Sequence, residues 1–130
     1  MTILVIAEHD NAALKAATLN TVAAAQNIGG DVHVLVAGHN AQRAADAAAK
    51  VAGVAKVLLA DAPQLAAGLA ENVEATVLNI AKDYSHILAP ATAYGKNVAP
   101  RVAAKLEAYY ADLLAGEQPV WASAKSSLAS

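Results

Sequence analysis

The stretch Thr2-Ile-Leu-Val-Ile-Ala-Glu-His-Asp-Asn11 decides the fold. Thr2 to Ala7 is an apolar, β-branched run without alternation, as in a strand buried on both faces. Glu8 to Asn11 is polar, as in a loop at the carboxyl end of such a strand. From Ala12 the period changes to steps of three and four. Leu14, Ala17, Thr18, Thr21, Val22, Ala25 and Ile28 share one face of a helix, which Gly29-Gly30 closes. A strand, a helix and a glycine stop make one βα unit.

The unit repeats. Asp31 to Ala37 reads as a second strand, Gly38 to Asn40 as a loop, and Ala41 to Val51 as an alanine-rich helix stopped near Gly53. Val54 to Ala60 is the third strand, broken off by Asp61-Ala-Pro63. The next helix places Val73, Val77 and Ile80 on one face and starts either near Gln64 or after Gly68. Ser85 to Ala89 is the fourth strand. Strands and helices in alternation predict right-handed crossovers and a parallel sheet with helices on both faces. The predicted class is α/β, a doubly wound single domain.

Beyond Pro90 the polar loop Ala91-Thr-Ala-Tyr-Gly-Lys-Asn97 feeds a helix; with Asn97 as its cap, Pro100 falls in the first turn, where a missing N–H costs little. Leu106, Tyr109, Tyr110, Leu113 and Leu114 keep an apolar helical face up to Gly116. Glu117 to Ser130 is rich in Ser and Ala, without a clear pattern, and the last dozen residues read as a loosely docked tail.

Composition narrows the function classes. A chain of 130 residues suits one domain, and with 36 alanines and no Phe its core rests on Val, Leu and Ile. Nine Lys+Arg against eleven Asp+Glu give a formal charge of −2 without runs of either sign. That pattern offers no footprint for nucleic acid or an anionic membrane surface. Cysteine is absent, which excludes disulfides, thiolate metal sites and a Cys nucleophile, and fits a reducing compartment. No apolar run reaches the roughly 18 residues of a membrane span. Thr2 to Ala7 has no basic region before it and meets Glu8 directly, unlike a signal peptide. The expectation is a soluble cytoplasmic domain.

Ligands of doubly wound sheets bind at the carboxyl ends of the strands where the strand order reverses, commonly between the first and fourth strands. Glu8 to Asn11 and Pro90 to Asn97 would line that crevice. Thr92 offers a hydroxyl, Gly95 permits close backbone approach, Lys96 adds charge, and the following helix aims N–H groups at the loop, as an anion or nucleotide phosphate requires. The same residues also read as a plain helix start: Asn97 a cap, Gly95 a turn, Lys96 a solvated cation. The loop departs from a Walker A pattern, with Pro90 where a glycine belongs and Asn97 where Ser or Thr belongs, and no three-glycine dinucleotide fingerprint occurs.

The histidines, His9, His33, His39 and His86, show no helical spacing that argues for metal. His9 lies between Glu8 and Asp10 as a conceivable base, but no nearby nucleophile accompanies it, and no catalytic residue is assigned. Lys96, Arg101 and Lys105 form the one basic cluster, fit either for an acidic partner or for ordinary solvation. The Tyr109, Tyr110, Leu113 and Leu114 face either packs on its own sheet or joins a second chain in a homodimer.

The segment His86-Ile-Leu-Ala-Pro-Ala-Thr-Ala-Tyr-Gly-Lys-Asn-Val-Ala-Pro-Arg-Val-Ala-Ala-Lys-Leu106 closely resembles the strand-loop-helix near the end of the N-terminal domain of electron transfer flavoprotein alpha subunits. Ile3-Leu-Val-Ile-Ala-Glu8, Val34-Leu-Val-Ala-Gly38, Val54-Ala-Lys-Val-Leu59 and Lys82-Asp-Tyr-Ser-His86 fit the same family in order and spacing, so the resemblance covers residues 1–106. It implies a fold of the adenine-nucleotide alpha-hydrolase type and pairing with a beta subunit. It further implies that FAD is held mostly by a second domain of the alpha chain, that AMP belongs to the beta subunit, and that the N-terminal domain is largely scaffold. After Leu106 the family pattern ends. Residues 107–130 are expected to form a divergent helix and tail without a separate domain, replacing the later strands of a shortened or altered alpha domain.

Three functional readings follow. The leading one is a scaffold domain of a flavin electron carrier, without catalysis of its own. The others are a stand-alone module binding AMP, ATP or FAD, and an oligomeric structural domain.

Overall fold

In the computed structural model, residues 1–66 and 70–114 are described, with side chains described up to residue 106. Strands β1 (Thr2–Ile6), β2 (Asp31–Gly38), β3 (Val54–Asp61) and β4 (His86–Leu88) pair in parallel in the order β3-β2-β1-β4. Helices α1 (Ala16–Ile28), α2 (Gln42–Ala49), α3 (Ala70–Ile80) and α4 (Ala93–Leu114) alternate with them, with short 3-10 turns at Pro63–Leu65 and Ala81–Asp83.

The unbroken apolar run of β1 has its reason in this layering. Ile3, Val5 and Ala7 lie with Val32, Val34 and Val36 in the core that α1 and α2 cover. Leu4 and Ile6 lie with Leu35 and Ala37 in the core that α3 and α4 cover. Each Val, Leu or Ile side chain among them, fully buried, contributes about 1.5–3 kcal/mol. From α2 the buried contributors are Ala44, Ala45 and Ala48, so that helix sits close on the sheet with little apolar area of its own. The chain builds outward from β1 through β2 to β3, then returns to the other side of β1 with β4, and the reversal opens a crevice between β1 and β4. The doubly wound α/β reading stands.

Several boundaries moved, each for a local reason. Helix α1 starts at Ala16 instead of Ala12, because the Asp10 carboxylate accepts the N–H groups of Ala12 and Ala13 at 3.0 and 2.7 Å and His9 bridges to Leu14. The described part of α3 begins at Ala70 and Pro63–Leu65 is a separate turn, so the helix does not start near Gln64; residues 67–69, where the other start would fall, lie outside the described residues. Helix α4 starts at Ala93, so Asn97 is not its cap and Pro100 lies inside the helix instead of in the first turn. An interior proline removes one helical N–H donor and costs about 3 kcal/mol in helix propensity. The side chains of Tyr109, Tyr110, Leu113 and Leu114, and the tail beyond Leu114, lie outside the description. No helix among the described residues is long and apolar enough to cross a membrane.

Candidate functional site

The crevice is framed from the β1 side by backbone. Thr18, buried in α1, donates its hydroxyl to the Glu8 carbonyl and accepts the Glu8 N–H, both at 2.9 Å. The Lys15 N–H donates to the same carbonyl at 2.9 Å. His9 is clamped: its Nδ1 accepts the Asn11 N–H and its Nε2 meets the Ala37 carbonyl, each at 2.9 Å. One ring nitrogen must accept and the other donate, so these partners select the neutral Nε2–H tautomer. Asn11 takes a left-handed φ of 71° to complete the turn. Gly38 makes room for it, since a Cβ there would collide with the Asn11 side chain and stand 2.9 Å from His9 Cε1. The sequence offered His9 as a conceivable base; it is half-buried and serves as a strut between the β1 and β2 loops.

Across the crevice, Thr92 precedes α4. Its hydroxyl accepts the Gly95 N–H at 3.3 Å and its carbonyl accepts the Lys96 N–H at 2.8 Å. Gly95 is buried, and a Cβ there would run into the Pro90 carbonyl. The close approach that a glycine permits is thus made to the chain's own backbone. Lys96 and Asn97 are exposed on the first turns. Arg101 of the basic cluster reaches α3, its Nε 3.0 Å from Glu74 Oε1.

Glu8, His9, Asn11, Lys15, Leu65 and Tyr94 meet around a cleft of about 220 Å³. The Tyr94 phenol is pushed up to about 12, first by burial and second by the nearby Glu8 carboxylate. Tyr94 lies within the Pro90 to Asn97 loop that the sequence placed at the crevice, though the residue itself was not singled out; Leu65 was missed, because it comes from an element distant from β1. Two other structural pairs were equally silent. His33 Nδ1 and the Tyr84 hydroxyl sit 2.9 Å apart, the rings edge to face at 82°. Asp61 accepts the N–H groups of Asn40 and Ala41 at 2.8 and 3.1 Å, tying β3 to the start of α2. His39 Nδ1 lies 3.7 Å from Asp61, too far for a hydrogen bond. Among the described residues no three His, Asp or Glu side chains converge as metal ligands.

A flavin or adenine nucleotide fits this cleft poorly. Its volume is below the roughly 300 Å³ at which small-molecule sites begin. A phosphate there would face Glu8, with Lys15 the single cation among the lining residues and the Gly95 and Lys96 N–H groups already bonded to Thr92. The lining also holds no nucleophile beside a free base, since both His9 nitrogens are engaged.

Comparison with known proteins agrees with the fold. The electron transfer flavoprotein domain model matches residues 3–113. The alpha subunit of electron transfer flavoprotein from Pseudomonas aeruginosa is 64% identical over 107 residues, which are 82% of this chain and 35% of that protein. The alpha subunit from Paracoccus denitrificans is 51% identical over 108 residues, 82% of this chain and 35% of its own length. A probable mitochondrial alpha subunit from Caenorhabditis elegans is 44% identical over 106 residues, 80% of this chain and 32% of its own length. The chain thus spans about a third of the length of these curated relatives, matching their N-terminal part. With its parallel sheet, its strand order and its near-complete match, the chain belongs to the electron transfer flavoprotein domain family.

Proposed function

We propose that the chain acts as the N-terminal scaffold domain of an electron transfer flavoprotein alpha subunit, pairing with a beta subunit and holding neither flavin nor nucleotide by itself. In this reading residues 1–106 carry the alpha-type domain, and residues 107–130 are not a separate domain. The observation that carries this reading is the closure of the crevice loop on itself: Thr92 and Pro90 occupy the groups with which Gly95 would meet a ligand. Thr92, Gly95, Lys96 and Asn97 then serve to start α4 in the correct place. FAD, in this reading, is held elsewhere in the assembled protein and supplies the electron transfer, and AMP lies outside this domain. The 64% and 51% identities to bacterial alpha subunits and the lack of cysteine support a cytoplasmic setting.

Mixing the chain with purified electron transfer flavoprotein beta subunit and weighing the product by sedimentation tests the pairing. A one-to-one complex is expected. Two species sedimenting independently at micromolar concentration would remove the pairing from the account.

A further inference from the structure

Strand β4 has the composition of an inner strand and the position of an outer one. In the order β3-β2-β1-β4 it pairs with β1 alone, so its far edge is free among the described residues. Ile87 and Leu88 nevertheless face opposite cores, Ile87 the one under α3 and α4 and Leu88 the one under α1 and α2, and both are half-buried. A mainly apolar groove lies on each face of that edge. The groove beside α1, about 540 Å³, runs between Ala17, Asn20, Thr21 and Ala24 and the end of β4 at Leu88. The groove beside α4, about 410 Å³, is walled by Gly95, Ala99, Pro100 and Ala103. Ala89 and Ala91 line both. Two grooves back to back across the plane of a sheet are the space that one further strand fills, because its side chains alternate between the two faces.

The topology says which segment comes next. The β1-α1-β2 and β2-α2-β3 units step one way along the sheet with their helices on one face, and β3-α3-β4 steps back with α3 on the other, as right-handed crossovers require. Helix α4 shares the face of α3, so a right-handed connection through it leads onward to the free edge of β4. It runs 22 residues away from the carboxyl end of β4, about 33 Å. Residues 115–130, extended, span about 53 Å, enough to return along its whole length. We propose that the segment Pro119-Val-Trp-Ala-Ser-Ala124 pairs in parallel with β4 as an added strand, with Trp121 filling the groove beside α1. Gly116 suits the stop of α4, and Pro119 the first position of a strand, where no ladder N–H is needed. Alternation turns Trp121 and Ser123 toward α1, and Val120, Ala122 and Ala124 toward α4. The wider groove takes the indole and offers Asn20, exposed on α1, as the acceptor that a buried indole N–H requires. The narrower groove has room for valine and alanine.

Trp121 is the chain's single tryptophan, so fluorescence reads its surroundings directly. The whole chain in buffer should emit to the blue of free tryptophan, resist quenching by acrylamide, and lose both properties in urea. Ala24→Glu puts a charge into the groove from an exposed position on α1, and should return the emission to that of free tryptophan with helical circular dichroism unchanged. Ala49→Glu, exposed on α2 and away from this edge, should leave the emission as it was. Because the chain has no cysteine, paired cysteines give a second reading that does not depend on weakening the fold. A short bismaleimide should join Ala24→Cys to Ser123→Cys within one chain, and should not join Ala49→Cys to Ser123→Cys. Emission like that of free tryptophan in the unaltered chain overturns the proposal. Buried emission that Ala24→Glu leaves unmoved overturns it too, as does an Ala24→Cys, Ser123→Cys chain that stays unlinked or links to a second copy at twice 13.1 kDa.

Discussion

Thr92 and Gly95 hold each other: the Gly95 N–H donates to the Thr92 hydroxyl at 3.3 Å, in the turn that brings Gly95 against the Pro90 carbonyl. This pair sets the first residue of α4 and turns a loop with a ligand-like composition into a helix start. Replacing Thr92 with Ala removes the cap and should cost about 1 kcal/mol in urea unfolding. An unchanged midpoint would show that the hydroxyl does not hold the turn.

Gly95→Ala is expected to be worse. The added methyl has no space against the Pro90 backbone, and backbone cannot rotate away as a side-chain tip can. Overpacking of this kind costs about 1–3 kcal/mol. A Gly95→Ala protein as stable as its parent would mean that the loop is open, and would return Gly95 to the list of ligand contacts.

Tyr94 should give the protein a measurable alkaline limit. Its phenol is raised from an ordinary value of 10.0 to about 12 in the folded chain. Below pH 10 both folded and unfolded chains keep the proton, and Tyr94 adds no pH dependence. Between pH 10 and 12 the unfolded chain releases it while the folded chain holds it, so stability falls as pH rises. Unfolding curves across that window should show a shallower loss in Tyr94→Phe. Glu8→Gln should lower the Tyr94 value in an ultraviolet titration, by less than burial raises it. Equal alkaline loss in the parent and Tyr94→Phe would place the phenol in solvent.

Asp61 ties the end of β3 to the start of α2 through both carboxylate oxygens. Asp61→Ala leaves the Asn40 and Ala41 N–H groups without that acceptor and should cost about 1–3 kcal/mol. Asp61→Asn, which keeps one carbonyl oxygen, should recover part of the loss. If the alanine variant loses less than the asparagine variant, the tie does not stabilise the fold.

The sheet was legible because burial on both faces writes itself into β1 and β2 as unbroken β-branched runs, and Gly29 with Gly53 marks the stops. The crossover rules then place the crevice between β1 and β4, where the strand order reverses. Helix starts were less legible, since they depend on hydrogen bonds that compete locally. Asp10 delayed α1 by capturing two backbone donors, and Thr92 advanced α4 past the more obvious Asn97. The site was least legible of all. Whether His9 is a free base, or Gly95 a ligand contact, turns on Ala37 and Pro90, and a linear reading has no access to the distances involved. The family resemblance came through because the His86 to Leu106 segment is long and specific, and the match to residues 3–113 bears it out.

The central claim is that this chain is a scaffold without a flavin or nucleotide of its own. Its most direct test is a visible absorption spectrum of the chain purified alone, with nucleotide extraction from the same sample. The expected result is a colourless protein that releases neither flavin nor AMP. A yellow protein with stoichiometric FAD, or stoichiometric AMP in the extract, would contradict it and make the crevice beside Glu8 and Tyr94 a binding site after all.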